Sequence, residues 1–191
     1  YFLNLVSKTD MPIVLVGSMR PSTAVSADGP LNLYNAVAVA ADPNAKGRGV
    51  VLVMNDWIHS AQTLTKVSTT AVQTFMSPIR GLIGTSSYGV NDFYRYPDQK
   101  FCLTSEFSTE GVTKLPRVDI IYCDVDMPAD LIVASVERGA KGIVIAGVGN
   151  GNMPKAALEA CAAASKKGVI VVRSTRVATG TVGRNVECND D

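Results

Sequence analysis

The sequence predicts an α/β protein in which a parallel sheet with helices forms a large three-layer domain, followed by a smaller α/β domain. Val50–Met54 (VVLVM) is an unbroken apolar, β-branched run, which is typical of a strand buried on both faces of a parallel sheet. Apolar runs alternate with helix-like segments in the first part of the chain. A second alternation of the same kind begins near residue 116, which predicts the smaller domain.

The first part of the chain predicts two parallel strands joined by a helix. Residues 1–6 have the apolar character of the end of a helix, and residues 11–17 (MPIVLVG) predict a short buried strand. The Ala- and Leu-rich residues 31–41 predict a helix on the sheet, which Pro43 ends. Because this helix separates two strands by short links, residues 11–17 and Val50–Met54 are expected to pair in parallel.

The middle of the chain is broken into short pieces. Prolines and glycines punctuate residues 75–97, which predicts short strands and turns. The aromatic side chains of Phe93, Tyr94 and Tyr96 cluster there, and we assign them to packing rather than to ligand contacts. Residues 99–115 show little periodicity and are interpreted as an interdomain linker.

The predicted domains follow from that linker. Residues 1–98 are expected to form the later part of the large domain, and residues 116–191 the smaller domain. The last helix has Asn152 as its predicted N-cap and Gly168 just past its end. The predicted elements of the smaller domain are a strand at 117–123, a helix at 128–138, a strand at 142–146, a helix at 152–167 and a strand at 169–172.

Composition limits the classes of partner. Hydrophobic residues make up 47% and charged residues 18% of the chain, and the formal net charge is +1. This balance argues against disorder and against a nucleic-acid-binding surface, and it favours a small neutral or zwitterionic ligand. No apolar run reaches the length of a transmembrane helix, so no membrane partner is expected.

Cysteine and histidine spacing bears on metal binding. The four cysteines show no Cys-x-x-Cys or Cys/His spacing, and His59 is the only histidine. A zinc site is therefore not expected, and no cofactor is expected either. Two interpretations of the cysteines stay open, free thiols and disulfides.

The end of the strand Val50–Met54 is the first candidate site. Asn55 and Asp56 end this strand, and a polar loop leads from them to Lys66. Because ligands of open α/β sheets bind at the carboxyl ends of strands, these residues form a candidate site edge. The alternative is a solvated loop lysine, since most lysines are exposed.

No other residue set provides a nucleophile with its base. His59 lies beside Trp57 in what is expected to be an exposed loop, and a serine nucleophile needs such a base. The carboxylates are too scattered to form an acid–base pair. Residue chemistry alone therefore leaves Lys66 as the candidate catalytic group, without an identified partner.

Residues 147–152 (GVGNGN) form a glycine cluster between a predicted strand and a predicted helix, where backbone N–H groups can bind phosphate. Asn152 occupies the place of the third glycine of the dinucleotide fingerprint, and no acidic residue ends the next strand. Two interpretations stay open, a phosphate-binding turn and a tight turn whose glycines adopt positive φ.

Four long segments occur in series and together carry a resemblance. They are VGSMRPSTAVSADGPLNLYNAV at 16–37, VVLVMND followed by Lys66, AGVGNGN at 146–152 and VVRSTRVATG at 171–180. In this order and spacing they resemble the bacterial type II L-asparaginases, including the glutaminase-asparaginases, over essentially the whole chain.

The resemblance implies hydrolysis of the side-chain amide of L-asparagine to aspartate and ammonia, with L-glutamine as a second candidate substrate. Members of this family use a threonine nucleophile, and a second threonine followed by an aspartate forms a relay with a lysine that Lys66 matches. A partly desolvated lysine in such a relay can move a proton to or from a hydroxyl.

Three further residues match the substrate site of the family. Ser18 matches a small residue that lines the pocket through its backbone. Asn152 and Glu187 match residues that reach the amino end of the substrate from a neighbouring subunit, where a carboxylate suits an ammonium group. The alternatives are a plain helix cap for Asn152 and a solvated tail charge for Glu187.

The resemblance also implies a homotetramer with sites shared between subunits, and a periplasmic or secreted location. The threonine nucleophile and the Thr-Asp pair of the family have no match in this chain, and Thr9 stands where many secreted members have a disulfide cysteine. We therefore expect an internal fragment with two incomplete domains that is inactive alone. The alternative function is a non-catalytic binding or structural protein of the same fold.

Overall fold

Two parallel strands and the helix between them form the part of the fold on which the candidate site is built. The computed structural model describes residues 1–186. After α1 (Phe2–Val6), β1 (Ile13–Val16) and β2 (Val50–Met54) pair in parallel, and α2 (Gly29–Ala41) connects them. The predicted helical crossover between parallel strands is therefore confirmed.

Five short strands follow β2 in the first unit: β3 (Trp57–Ser60), β4 (Thr65–Lys66), β5 (Phe75–Met76), β6 (Gly84–Ser87) and β7 (Val90–Phe93). These five strands are antiparallel to their neighbours. The first sheet has the order β1-β2-β3-β6-β7, and β4 and β5 form a separate two-stranded hairpin. The short strands and turns predicted for residues 75–97 are confirmed.

A two-residue turn explains why β3 runs back along β2. Asn55 and Asp56 have φ values of 49° and 64°, which is the left-handed pair of a tight β-hairpin turn. The residues after the turn must therefore pair with β2, and His59 lies opposite Leu52. The exposed loop predicted around His59 is wrong, because His59 is a strand residue with 0% exposure.

The core of the first sheet lies between α2 and one face of the central strands. All five residues of β2 are buried, as predicted. Val51 and Val53 pack with Ile58 of β3 and with the α2 residues Ala36 and Val39.

β1 is less buried than its sequence predicted. Leu15 is 42% and Val16 is 39% exposed. Within residues 1–186, β1 is the edge strand of its sheet. β2 covers one of its edges, and no described strand covers the other.

The second unit is an all-parallel three-stranded sheet in the order β10-β9-β8. Two helices pack on it around the buried residues Ile132, Ile143 and Ile145, so the predicted alternation is confirmed. The bounds are β8 (Val118–Tyr122), α3 (Asp130–Glu137), β9 (Gly142–Gly147), α4 (Lys155–Lys166) and β10 (Ile170–Thr175).

The chain divides into two compact units, residues 1–110 and a unit that begins at Gly111. Part of the predicted linker packs on the first unit, because Cys102 is 3% exposed and Lys8 Nζ donates to the Ser105 carbonyl at 2.5 Å. The domain boundaries drawn from the sequence stay a prediction. None of the helices in residues 1–186 has the length and apolarity needed to cross a membrane.

Candidate functional site

Lys66 lies in the short hairpin of β4 and β5, directly opposite Phe75. Its side chain is exposed, and its Nζ atom is 5.8 Å from the centroid of the Phe75 ring. Within residues 1–186 its ammonium group has no hydrogen-bond or ion-pair partner. The described residues therefore do not supply the partial burial that a relay lysine needs, and the catalytic role of Lys66 stays a prediction.

Ser18 follows the carboxyl end of β1 and is exposed. It lies against the first residue of α2, because a Cβ atom added to Gly29 would be 3.4 Å from Ser18 Cβ. The close approach brings the end of β1 and the start of α2 together at one point.

Asp28 holds the loop that follows Ser18. Its carboxylate accepts hydrogen bonds from the backbone N–H groups of Met19 and Arg20, both at 2.9 Å, and from Asn32 Nδ2 at 3.1 Å. Burial alone would raise the pKa of the Asp28 carboxyl, but these hydrogen bonds together outweigh it and lower the pKa. The carboxylate therefore stays charged and keeps its three donors at neutral pH.

Asn32 joins the carboxyl ends of the two parallel strands. Its Nδ2 atom donates to the Gly17 carbonyl at 3.0 Å, and its Oδ1 atom accepts from the Asn55 backbone N–H at 2.8 Å. The side chain is nearly fully enclosed, with 3% exposure. Because both strand ends bind one buried amide, their relative position is fixed.

A further amide connects these strand ends to the Lys66 hairpin. Asn55 Nδ2 donates to Gln73 Oε1, and Gln73 Nε2 donates to the Phe75 carbonyl at 3.2 Å. Phe75 is the residue opposite Lys66. The structure therefore brings the Ser18 strand end and the Lys66 hairpin onto one hydrogen-bonded path, at the edge where the sequence predicted a site.

Asn35 supports the turn of the β2–β3 hairpin. Its Nδ2 atom donates to Asp56 Oδ1 at 3.0 Å, and its Oδ1 atom accepts from the Gly89 backbone N–H at 3.0 Å. Like Asn32, it is a buried amide on α2. One helix thus holds the ends of β1 and β2 and the tip of the β6–β7 hairpin.

His59 is buried on the sheet and is not an exposed base. Its Nδ1 atom is 2.8 Å from Ser77 Oγ, and its Nε2 atom has no hydrogen-bond partner in the described part of the chain. Desolvation by burial lowers the pKa of His59 to about 4. His59 is therefore neutral at neutral pH and serves as a hydrogen-bonding group in the interior.

Asn152 lies in the second unit, in the glycine-rich loop after β9. Its backbone N–H donates to the Val148 carbonyl at 2.8 Å, and the Val148 N–H donates to the Asn152 carbonyl at 2.9 Å. The predicted N-cap role is wrong, because this bridge closes the loop first and α4 begins at Lys155 after Pro154.

The glycine-rich loop is a tight turn. Gly149 and Gly151 have positive φ values of 53° and 84°, as the tight-turn interpretation predicted. A Cβ atom added to Gly147 would lie 2.4 Å from the Gly151 carbonyl carbon, so the two sides of the loop are in contact. Two of its backbone N–H groups are bonded across the loop, which argues against the phosphate-binding interpretation.

Glu187, the fourth predicted site residue, lies outside the described residues. So does Cys188, whereas Cys102, Cys123 and Cys161 are buried free thiols. Burial is the main cause that raises the pKa of Cys161, to about 11. In the part of the chain that the structure describes, no three metal-ligating side chains come together.

A groove is present in the second unit, but the site residue predicted there does not line it. It has a volume of about 740 Å³, lies along α4 and β10, and includes Met153, Cys161 and Arg173 in its lining. Asn152 does not line it. We therefore base the candidate site on the sheet edge of the first unit.

Sequence reasoning missed Asp28, Asn32 and Gln73 as organising residues. A signal existed for Asn32, since it is a polar residue in an otherwise Ala- and Leu-rich helix. Gln73 carries no comparable signal, because it lies in a polar loop and its partners are set only by the fold.

Two family models match this chain. Residues 1–99 match the family described as "Asparaginase, N-terminal", and residues 117–190 match the "Glutaminase/Asparaginase C-terminal domain". The two matches follow each other in the chain and leave 100–116 between them.

Several bacterial proteins are similar in sequence. The chain is 48% identical over 190 residues to a probable periplasmic L-asparaginase of Haemophilus influenzae, covering 100% of this chain and 54% of that protein. It is 50% identical over 185 residues to L-asparaginase 2 of Bacillus subtilis, covering 97% of this chain and 49% of that protein. A glutaminase-asparaginase of Pseudomonas fluorescens is 44% identical, with 100% and 53% covered. The chain spans about half the length of the curated relatives it matches.

A solved structure has the same fold. A probable cytoplasmic L-asparaginase from Campylobacter jejuni superposes with a TM-score of 0.94 at 42% sequence identity. The match covers 97% of this chain and 61% of that one.

Proposed function

Because this chain belongs to the glutaminase/asparaginase family, we propose that the protein hydrolyses the side-chain amide of L-asparagine to L-aspartate and ammonia. The observation that carries the proposal is the hydrogen-bonded path from the Ser18 strand end through Asn55 and Gln73 to the Lys66 hairpin. The path runs from the first sheet to the separate β4–β5 hairpin, and it links the two positions, Ser18 and Lys66, that the resemblance matches to the family's site.

The roles follow the chemistry of each group. Ser18 lines the substrate pocket through its backbone, and Lys66 moves a proton to or from the attacking hydroxyl. Backbone N–H groups stabilise the oxyanion that forms on the amide carbonyl. We propose that the attacking hydroxyl belongs to a threonine outside these 191 residues, so no residue of this chain is assigned that role.

L-Glutamine is proposed as a second substrate. One relative is a glutaminase-asparaginase by name, and two others are named L-asparaginases. Discrimination between two amides that differ by one methylene is expected to be modest in a pocket that contacts both carboxyl and amino groups.

The experiment is ammonia release from L-asparagine, L-glutamine and D-asparagine by a purified protein in which the threonine-bearing segment of the family precedes these 191 residues. We expect release from L-asparagine, slower release from L-glutamine and little from D-asparagine, whose amino group points away from the partner residues. The 191 residues alone are expected to release none. Equal release from both enantiomers would contradict the proposed recognition. Absence of release from L-asparagine by the longer protein would contradict the proposed activity.

A second candidate function is a non-catalytic binding or structural protein of the same fold. The exposed Lys66, which has no polar partner within residues 1–186, favours it. Calorimetric titration with L-aspartate separates the two candidates: heat of binding together with no ammonia release from L-asparagine would support the second.

The assembly and the compartment are also proposals. We propose a homotetramer in which Asn152 and Glu187 of one subunit reach the amino end of the substrate in another. We propose a periplasmic or secreted location, although relatives and neighbours carry both periplasmic and cytoplasmic names. Light scattering and cell fractionation with an antibody test these two points.

A further inference from the structure

We propose that Gln73 and Asn55 are positioning residues that fix Lys66 relative to the Ser18 strand end. This inference rests on the proposed function for its kinetic consequence. Its geometry is independent of that function, because it concerns only which groups determine the place of the Lys66 side chain.

The Lys66 hairpin cannot hold its position by itself. β4 and β5 contribute only two residue pairs, Thr65 with Met76 and Lys66 with Phe75. An isolated two-stranded ribbon is marginally stable in water. Since the Lys66 ammonium group has no polar partner within residues 1–186, the backbone of this ribbon sets where the side chain begins.

Gln73 connects that ribbon to the sheet. Its Oε1 atom accepts from Asn55 Nδ2, and its Nε2 atom donates to the Phe75 carbonyl at 3.2 Å. One side chain must accept at one end and donate at the other, and a carboxamide does both. Neither a glutamate nor a hydrocarbon of the same length can replace both bonds.

Asn55 is a rigid attachment point. Its backbone is in the left-handed region at φ 49°, and its N–H donates to the buried Asn32 side chain at 2.8 Å. Asn32 in turn donates to the Gly17 carbonyl, next to Ser18. A displacement of Gln73 therefore changes the position of Lys66 and leaves the Ser18 end in place.

A second anchor keeps the hairpin folded when Gln73 is changed. Ser77 follows β5, and its Oγ atom is 2.8 Å from Nδ1 of the buried His59. The Val67 N–H also donates to the Thr74 carbonyl at 2.8 Å. Substitution of Gln73 is thus expected to move the hairpin without unfolding it.

The first test measures the chemical environment of the Lys66 side chain by NMR. The lysines of the 191-residue protein are reductively methylated with ¹³C, and the ¹³C signal of Lys66 is identified by its loss in Lys66→Arg. We expect Gln73→Ala and Asn55→Asp to shift this signal, because Asn55→Asp removes the donor to Gln73 while it tolerates the positive φ.

The matched control is Gln62→Ala. Gln62 precedes β4, and its Nε2 atom donates to the Gln99 carbonyl at 3.4 Å and not to a residue of β4 or β5. This variant should leave the Lys66 signal in place. The double variant of Gln73 and Asn55 should shift the signal no further than Gln73→Ala alone, because that substitution already removes the Asn55–Gln73 bond. An unmoved Lys66 signal in Gln73→Ala, or equal shifts in Gln62→Ala, would overturn the proposal.

The second test is kinetic. In ammonia release from L-asparagine by the protein that also carries the threonine-bearing segment of the family, Gln73→Ala should lower kcat about tenfold and change KM less than about twofold, since a misplaced proton-transfer group affects the reaction more than binding. Gln73→Glu should behave like Gln73→Ala, because it keeps the acceptor and loses the donor. An unchanged kcat in both variants would overturn the kinetic role. If the protein releases no ammonia while the Lys66 signal still moves, the proposed function fails and the positioning role stands.

Discussion

Buried amide side chains determine the geometry of the candidate site residue by residue. Asn32 and Asn35 are 3% and 1% exposed, and each makes hydrogen bonds to two separate parts of the fold. A buried amide that lost these partners would leave polar backbone groups unsatisfied. These residues therefore contribute both to stability and to the relative position of the strand ends.

Asn32→Ala tests this contribution. The change leaves the Gly17 carbonyl and the Asn55 N–H without their buried partner, so we expect the free energy of unfolding to fall by about 3 kcal/mol. Urea denaturation followed by circular dichroism measures it. Leu33→Ala, at a position of the same helix that is 56% exposed, should change stability much less. Equal losses in the two variants would contradict the bridging role.

His59 should give the protein a defined pH dependence. Its pKa is lowered from 6.5 to about 4, so between these values the unfolded chain binds a proton that the folded protein does not. The stability that depends on His59 remaining neutral is fully present above the pKa of the unfolded state. It is lost as the pH falls toward the pKa of the folded state. The loss at about pH 5 should be about 2 kcal/mol.

Urea unfolding of the wild type and of His59→Gln, each at neutral and at mildly acidic pH, measures how much of the pH dependence of the unfolding free energy comes from His59. The variant should lose less stability than the wild type on acidification, because it lacks the group that titrates. The same pH slope in both proteins would show that burial does not depress the His59 pKa.

Hairpins are the elements that place the site, and they were the least predictable from sequence. Val50–Met54 was predictable because its continuous apolar run has a local signal. β3 was not, because it contains a buried histidine that owes its place to the Asn55–Asp56 turn and to Ser77. The position of Lys66 opposite Phe75 likewise depends on the pairing of β4 with β5, which the sequence does not encode locally.

The glycine-rich loop of the second unit shows the same difference between features that the local sequence determines and features that non-local contacts determine. Of the two interpretations of its glycines, the tight turn agrees with the structure, because glycine adopts positive φ without steric cost. The N-cap role of Asn152 was wrong, because the cross-loop bridge to Val148 is a non-local contact that moves the start of α4 to Lys155.

The β6–β7 hairpin allows two substitutions with opposite effects. Tyr88 has φ 47° and is 75% exposed, so Tyr88→Asn should stabilise by about 1 kcal/mol, since Asn tolerates the left-handed region. Gly89 has φ 81°, and a Cβ atom there would lie 3.0 Å from the Tyr34 ring, so Gly89→Ala should destabilise by more than about 1 kcal/mol. Thermal unfolding measures both, and changes of the same sign would contradict the assigned turn.

For the molecule as a whole, the proposed shared site makes a prediction about mixed subunits. Lys66 lies in the first unit and Asn152 in the second, and we propose that an active site combines them from different subunits. Lys66→Met and Asn152→Ala should each be inactive. When the two variants are mixed, unfolded and refolded together, about a quarter of the wild-type activity should return. Half of the randomly formed subunit pairs contain one variant of each kind, and one of the two sites in such a pair is intact.

Recovery of activity in the mixture would be impossible if each site used one subunit only. A mixture as inactive as its components would therefore contradict the shared site. Light scattering of the refolded mixture confirms that the subunits have assembled.

The most direct test of the central claim is ammonia release from L-asparagine by the wild type, by Lys66→Met and by Lys46→Met, each produced with the threonine-bearing segment of the family in front of these 191 residues. Lys46 is an exposed lysine of the same unit that pairs with Asp10 at 3.0 Å, which makes it the matched control. We predict that the wild type and Lys46→Met hydrolyse L-asparagine at the same rate, with one aspartate formed for each ammonia released. Lys66→Met should be slower than both by a factor on the order of a thousand. Equal rates for Lys66→Met and Lys46→Met, or no release by the wild type, would contradict the account.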